Sequence, residues 1–432
     1  MNQNDTIVIT LQDGSSFEAP KSTTVGEALS RGPQEKRTVV AGLVNNEMRS
    51  LAYALRIRAK VVPVYLDSDD GQRVYRRSLC FLLAVAASRR FPDRRLVIGH
   101  SLGNSYFYHF AEEETSEEEI EALRGEFDDL VSRNLEIRRD VASYEDALTY
   151  FQEHGMIESA RLLEGRNDSL VPVYICQDTM DISHGPLVDR TGVLAYYNLQ
   201  TFEHGFLLEF PDKADPTLVK SRERSAMLFG IYKEYKEWGR ILRVSSVGQL
   251  NKRVENGEIK EFIRVNEALQ NKRIAEIADE VVAGGDKQLI LIAGPSSSGK
   301  TTFTKKLAVQ LTVLGREPVM ISVDDYFVPR EETPRDEDGN YDFESIHALD
   351  IELLNRDVAA LLRGEEVELP TFNFKDGKRE YRGKRIALPK RGLLLMEGIH
   401  NLNDELTKDI PRGRKFKIYV SALTQLNLDD HN

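Results

Sequence analysis

Cysteine is nearly absent. The 432 residues contain only Cys80 and Cys176. Two thiols that far apart exclude a disulfide framework and fit a reducing compartment. Basic residues are in the minority, 58 Lys and Arg against 70 Asp and Glu, for a formal net charge of −12. That balance argues against a general nucleic-acid coat, which needs a basic face. No apolar run approaches the ~18 residues that a membrane-spanning helix requires. The N-terminal stretch MNQNDTIVIT lacks the basic leader and long apolar core of a secretory signal. The expected setting is cytoplasmic. What is present is the stock of a soluble protein with real cores, 41% hydrophobic and 30% charged, in a chain long enough for roughly two to four domains.

The texture changes along the chain. Residues 1–66 read as a small β-rich module. TIVITL is a strand, Asp13-Gly14 signals a hairpin turn, and Thr24 with Glu27 forms a capping box for a short helix. A second hairpin turns at Asn45-Asn46, and KVVPVYL closes the unit. Residues 67–225 begin with the helix RRSLCFLLAVAASRRF, which stops before Pro92. An acidic helix follows, capped by Ser116 and Glu119, with Ile120, Leu123, Phe127 and Leu130 on one face. Its glutamates read as a solvated face whose acidic first turn suits the helix dipole. VPVYICQD and FEHGFLLEFP are strands. Residues 226–286 are mostly helical and charged. From 287 strand and helix alternate: LILIA, a helix with Phe303, Leu307, Leu311 and Leu314 on one stripe, then VMISV, LLLME and FKIYV. This predicts an open parallel α/β sheet. The fold class expected is therefore multidomain, α+β in front and α/β behind.

Gly294-Pro-Ser-Ser-Ser-Gly299-Lys300-Thr301 satisfies G-x-x-x-x-G-K-[ST] between a strand and a helix. In such a P-loop the glycines let backbone N–H groups wrap a phosphate at the positive end of the helix. The candidate cradle runs through Gly294, Ser296, Ser297, Ser298, Gly299, Lys300, Thr301 and Thr302. Lys300 is expected to reach the β/γ oxygens and the Thr301 hydroxyl to ligate Mg²⁺. Asp324 and Asp325 directly follow VMISV, and a carboxylate at a strand's C-terminal end faces the crevice where such sheets bind ligands. Asp324 could accept a hydroxyl proton or help hold the metal, or serve as a turn residue. Glu397 ends GLLLME, a Walker-B type position for a metal ligand, or a surface strand end.

The ordered set GPSSSGKTTF, ISVDDYF, YDF, LPTFNFKDGKR and LLLMEGIH resembles the uridine kinase and phosphoribulokinase family over about residues 287–420. The resemblance implies ATP- and Mg²⁺-dependent phosphoryl transfer to a hydroxyl of a nucleoside or related sugar. It implies Asp324 as the catalytic aspartate, Asp342 as the holder of ribose hydroxyls, and Glu397 as the glutamate of the EGI segment. Phe372 stands where uridine kinases typically carry a base-facing tyrosine, and Gly377 where they carry a base-reading histidine. A site without polar readers discriminates less between bases. Tyr326 and Arg379 are further candidates on the acceptor side. The family's chain continues beyond KFKIYV with a helical, arginine-bearing lid, so the kinase domain, 287–432, is expected to be incomplete at its C-terminus, with exposed apolar surface that favours self-association or a disordered C-terminal end.

The front half resembles the N-terminal part of threonyl-tRNA synthetase: residues 1–66 its TGS module, a β-grasp fold, and 67–225 its editing domain, with 226–286 as a helical linker. The resemblance rests on DGQRVYRRSLCFLLAVAASRRFP, VIGHSLGNSYFYHF and DISHGPLVDRTGVLAYYNL. The editing family holds zinc with H-x-x-x-H and C-x-x-x-H pairs, but the matching positions here are Arg77 and Phe81, then Ser183 and Leu187. His100, His109, His184 and His204 fall at none of them. Arg77 is either an anion ligand facing the old pocket or a surface arginine. A TGS-like module also supports an alternative function, a nucleotide-regulated RNA- or ribosome-associated binding protein with little turnover, against which the acidic balance weighs. With the four ligands replaced, purified protein is expected to hold no stoichiometric zinc. Elemental analysis that finds about one chelator-resistant zinc per chain, as in a structural site, would contradict this.

Overall fold

The computed structural model describes residues 6–111, 114–166, 168–220, 226–421 and 426–432. The chain divides into two units, residues 1–259 with 425–432, and residues 260–424. The division falls within the segment expected as a helical linker.

The first unit opens with a five-stranded sheet of β1 (Thr6–Leu11), β2 (Ser16–Pro20), β3 (Val39–Val44), β4 (Glu47–Arg49) and β5 (Ala59–Tyr65), in the order β2-β1-β5-β3-β4. Helix α1 (Val25–Leu29) covers it, and its capping box of Thr24 and Glu27 forms as the spacing predicts. Asn45 and Asn46 take φ of 49° and 68°, the left-handed pair that a tight hairpin requires.

Helix α2 (Asp69–Arg90) is the spine of the next part. It begins earlier than the apolar run suggests, because the Ser68 hydroxyl caps it by accepting from the Gly71 N–H. It packs against an antiparallel sheet of β6 (Leu96–Ser101), β7 (Ser105–Phe110) and two later strands described below. Helix α3 (Glu117–Ser132) adds Ile120, Leu123, Phe127 and Leu130 to the same core, all buried on the stripe that the sequence predicts. A second sheet holds β8 (Arg138–Ser143), β9 (Leu170–Cys176) and β10 (Thr179–Asp181), covered by α4 (Tyr144–Glu153) and α5 (Ile157–Glu164). Strands β11 (Asn198–Phe202) and β12 (Gly205–Glu209) complete the first sheet in the order β11-β12-β7-β6. Successive side chains alternate between its faces. Phe206 and Leu208 join the α2 core, while Phe107 and Leu207 meet Phe229 and Tyr232 of α6 (Ala226–Leu242). Helix α7 (Val247–Glu255) follows. Asp430 also belongs to this unit, accepting from the backbone N–H groups of Glu158 and Ser159 at 2.9 Å each.

The second unit is built on a parallel sheet. Helix α8 (Ile259–Ala283) leads to β13 (Leu289–Ala293), α9 (Lys300–Val313), β14 (Glu317–Ser322), α10 (Ile351–Leu362), the hairpin β15 (Val367–Asn373) and β16 (Lys378–Ile386), then β17 (Gly392–Glu397) and β18 (Lys415–Tyr419). The parallel order is β14-β17-β13-β18, with β13 buried on both faces. Ile290 and Ile292 meet α8 and α9 on one side, and Leu289 and Leu291 meet α10 on the other. The expected stripe on α9 is shorter than drawn. Leu314 is the C-cap and is exposed, and Thr304 and Ala308 are buried beside Leu307 and Leu311. Among the described residues no helix is long and apolar enough to cross a membrane.

Phe127 has no exposed surface, and its ring centroid lies 4.1 Å from that of Tyr197. Phe127→Ala is expected to destabilise the first unit by ~3–5 kcal/mol in urea unfolding. Glu118→Ala, on the solvent face of the same helix, should stay within about 0.5 kcal/mol. Equal effects would contradict the packing described.

Candidate functional site

The site begins at the C-terminal end of β13. Gly294 passes so close to β18 that a Cβ would lie 2.1 Å from the Val420 carbonyl oxygen, which only glycine permits. Ser297 and Gly299 then take φ of 60° and 85°. Left-handed residues at these points turn successive N–H groups inward, the geometry of an anion nest. Helix α9 starts at Lys300, so its unpaired N–H groups and dipole face the same space. Lys300 folds over the loop, its Nζ 2.8 Å from the Pro295 carbonyl. The Ser298 hydroxyl is buried without a partner.

Three oxygen-bearing side chains gather beside this loop. The Thr301 hydroxyl lies 2.8 and 2.9 Å from the two oxygens of Glu397, at the end of β17. Asp324 stands just past β14 in a short 3-10 turn. Its side chain reaches solvent, yet enough protein surrounds it that desolvation pushes its pKa up. The Glu397 charge adds to the shift and Lys300 opposes it. Gly398 follows Glu397 because a Cβ there would come within 2.6 Å of the Val323 side chain. Buried Asn401 donates to the carbonyls of Ile292 and Met396 at 3.0 and 2.6 Å, fixing the ends of β13 and β17 to each other. Thr301, Glu397 and Asp324 form an oxygen-rich donor set suited to a hard divalent cation, and the nest with its orphaned Ser298 hydroxyl suits a phosphate.

The acceptor-side candidates separate into two groups. Asp342 lies near the carboxylate group of the site, since it and Asp324 both act on the His400 imidazole. Asp325 accepts from the Phe372 N–H at 3.1 Å, tying the hairpin to the aspartate turn. The Phe372 ring is buried against Phe327 and Phe374, with centroids 5.5 and 5.1 Å away. Arg379 is held by Asp350 at 2.9 Å. Tyr326 sits in the α10 core with its hydroxyl toward Asp357 at 3.4 Å, and burial pushes its pKa up. Tyr326 is therefore a packing residue rather than part of the crevice lining. Gly377 has φ of 67°, and a Cβ would meet Arg330 Cβ at 2.8 Å. A histidine at Gly377 would be strained.

One residue escaped the sequence reading. His400 has a buried Nε2 without a partner. Burial holds its pKa below the usual value although Asp324, Asp342 and Glu344 face it. Its position in EGIH was the available signal, but a ring nitrogen left open beside Asp324 is visible only in three dimensions.

In the first unit, the four positions matching zinc ligands carry other chemistry. Phe81 and Leu187 are buried in the core, Ser183 donates to the Gly185 carbonyl at 3.0 Å, and Arg77 donates to the His184 carbonyl at 3.2 Å. Cys80 is buried, and desolvation pushes its thiol up to about 12.

Comparison with known proteins divides the chain in the same sense. In the front half, the chain is 30% identical to a threonine–tRNA ligase of Haloquadratum walsbyi over 194 residues, covering 45% of this chain and 30% of the ligase. It is 32% identical to one of Desulforamulus reducens over 198 residues, covering 45% and 31%. The chain thus spans about 30% of the length of these relatives. Among solved structures, a possible uridine kinase from Bacillus stearothermophilus is 23% identical with a TM-score of 0.29, covering 34% of this chain and 79% of that one. Residues 289–430 match the model of the phosphoribulokinase / uridine kinase family, so the chain joins a region that matches that kinase family to a front half similar to threonyl-tRNA synthetases.

Proposed function

We propose that the second unit transfers the γ-phosphoryl group of ATP to a hydroxyl of a nucleoside or related sugar. The observation that carries this reading is the convergence of Thr301, Glu397 and Asp324 beside the phosphate loop at the ends of parallel strands. When bound, Mg²⁺·ATP supplies the transferable phosphoryl group and neutralises its charge. The 294–302 backbone and Lys300 cradle phosphate oxygens. Thr301 and Glu397 hold the metal. Asp324 accepts the proton of the attacking hydroxyl, and its raised pKa makes it a better base than an ordinary aspartate. Asp342 orients the acceptor's hydroxyls. Phe372 shapes the hairpin wall, and the absence of a polar reader at Gly377 supports loose base selectivity. The front unit serves as a synthetase-like scaffold without the zinc chemistry, a reading supported by the apolar Phe81 and Leu187.

The test is a panel of nucleosides and simple sugars in a coupled ATP-consumption assay. An acceptor should be found, with no strong preference for uridine in competition. With that acceptor, Asp324→Asn should cut turnover about a hundredfold or more while leaving ATP affinity nearly unchanged, and Lys300→Ala should harm both. Turnover should fall as pH drops through the raised pKa of Asp324, so the acid limb should lie above the ordinary aspartate value of about 3.9. Full turnover by Asp324→Asn would contradict its role as base.

His400 is assigned to the acceptor hydroxyls, because its Nε2 has no partner, the ring lies within electrostatic reach of Asp324 and Asp342, and burial favours the neutral ring. His400→Ala should raise the acceptor KM by about tenfold, the worth of a hydrogen bond of ~1.4 kcal/mol, and leave the ATP Kd from calorimetry unchanged. A change confined to ATP binding would move His400 to the nucleotide side.

A further inference from the structure

The first unit contains a cavity of about 670 Å³ that reaches only one of the zinc-matching positions, Ser183, and that the kinase chemistry does not use. Its walls come from the β4 turn (Met48–Arg56), from β8 and β9, and from the Ser183–Pro186 loop. Four guanidinium groups line it: Arg49, Arg56, Arg138 and Arg139. Glu136 is the one carboxylate among the lining residues. Arg49 pairs with Glu47, and Arg138 with Asp140 at 2.9 Å. Arg56 and Arg139 have no carboxylate partner among the described residues.

Two buried groups in or next to its walls lack partners. Ser50 is 8% exposed, lines the cavity, and its hydroxyl has no hydrogen-bond partner. A buried hydroxyl left unsatisfied costs free energy unless something completes it. Behind the loop, Arg77 lies against Gly185, where a Cβ would meet its Nη1 at 2.0 Å. The Nε of Arg77 is likewise buried without a partner.

Guanidinium groups that converge on one concavity repel one another until an anion enters, and their planar forks match phosphate oxygens in pairs. The volume exceeds the needs of a single small oxyanion and lies in the range of small-molecule sites, ~300–1,000 Å³. Extended nucleic acid is the poorer fit. It requires a basic stripe across a face, and this chain carries a formal charge of −12 with only four arginines lining the hollow. We propose that this cavity binds a small molecule bearing an oligophosphate group. Arg56 and Arg139 grip the phosphates.

Tripolyphosphate is the probe, titrated by calorimetry into the full chain. The phosphate loop also binds it, so the Lys300→Ala protein provides the background that weakens that site. The expected result is saturable binding to Lys300→Ala that becomes about tenfold weaker or more when Arg56→Ala and Arg139→Ala are added, as for lost charge-assisted hydrogen bonds. Arg56→Lys with Arg139→Lys keeps the charge but removes the forks, and should fall between the two. Far-ultraviolet circular dichroism checks that these exposed positions leave the fold intact. Absence of any Lys300-dependent class in the unsubstituted chain would count against the phosphate loop and leave this cavity standing. No binding to Lys300→Ala, or binding indifferent to both arginines, overturns the proposal. So does a short RNA duplex that displaces tripolyphosphate at lower concentration than tripolyphosphate itself binds, which would assign the arginines to RNA.

Discussion

The hydrogen-bonded pair of Thr301 and Glu397 is the contact on which the candidate site depends. It ties the first turn of α9 to the end of β17, at 2.8 and 2.9 Å. For that to happen β13 and β17 must run parallel and end level, as their register of Leu289 with Leu394 through Ile292 with Glu397 provides. The same register places Ser322, two residues before Asp324, beside Glu397. Three strand ends therefore deliver one hydroxyl and two carboxylates to one place. The mutual repulsion of Asp324 and Glu397 contributes to the raised pKa of Asp324, a tension that a cation between them would relieve.

Close backbone approaches make this convergence tolerable. Gly294 admits the end of β18, Gly398 admits Val323, and Asn401 fills the gap with two hydrogen bonds to strand-end carbonyls. The first unit shows the opposite economy. At two of the positions where the sequence resemblance implies metal ligands, Phe81 and Leu187 consolidate a core that α2 already dominates. The polar remainder, Arg77 and Ser183, is turned to the backbone of the loop from His184 to Gly185. The same loop, through Ser183, Gly185 and Pro186, also lines the arginine-bearing hollow.

Much of this was legible in the sequence because local chemistry and global fold agree. The phosphate loop follows from the spacing of Gly294, Gly299, Lys300 and Thr301. The Asn45-Asn46 turn and the buried stripe of α3 follow from residue types that have few alternatives. The β15–β16 hairpin was hidden by its composition. Pro370 interrupts its pattern at an irregularity in register after Glu368, and exposed charges fill β16. Helix α10 follows a stretch dominated by turn residues and acidic runs, and although Leu354, Val358 and Leu361 carry helical spacing the sequence reading assigned it no element. Leu314 satisfied the periodicity of α9 yet fell beyond its end, since periodicity does not know where a helix stops. Neither the burial of Tyr326 nor the open nitrogen of His400 could be read from spacing, because each depends on what another part of the chain brings to it.

The most direct measurement follows the labelled γ-phosphate of ATP by phosphorus NMR in the presence of a mixed pool of nucleosides and sugars. The account predicts that the label appears as a phosphomonoester on a hydroxyl of one or several pool members. Label released only as inorganic phosphate, at the same rate with and without the pool, would show a nucleotide hydrolase and contradict it.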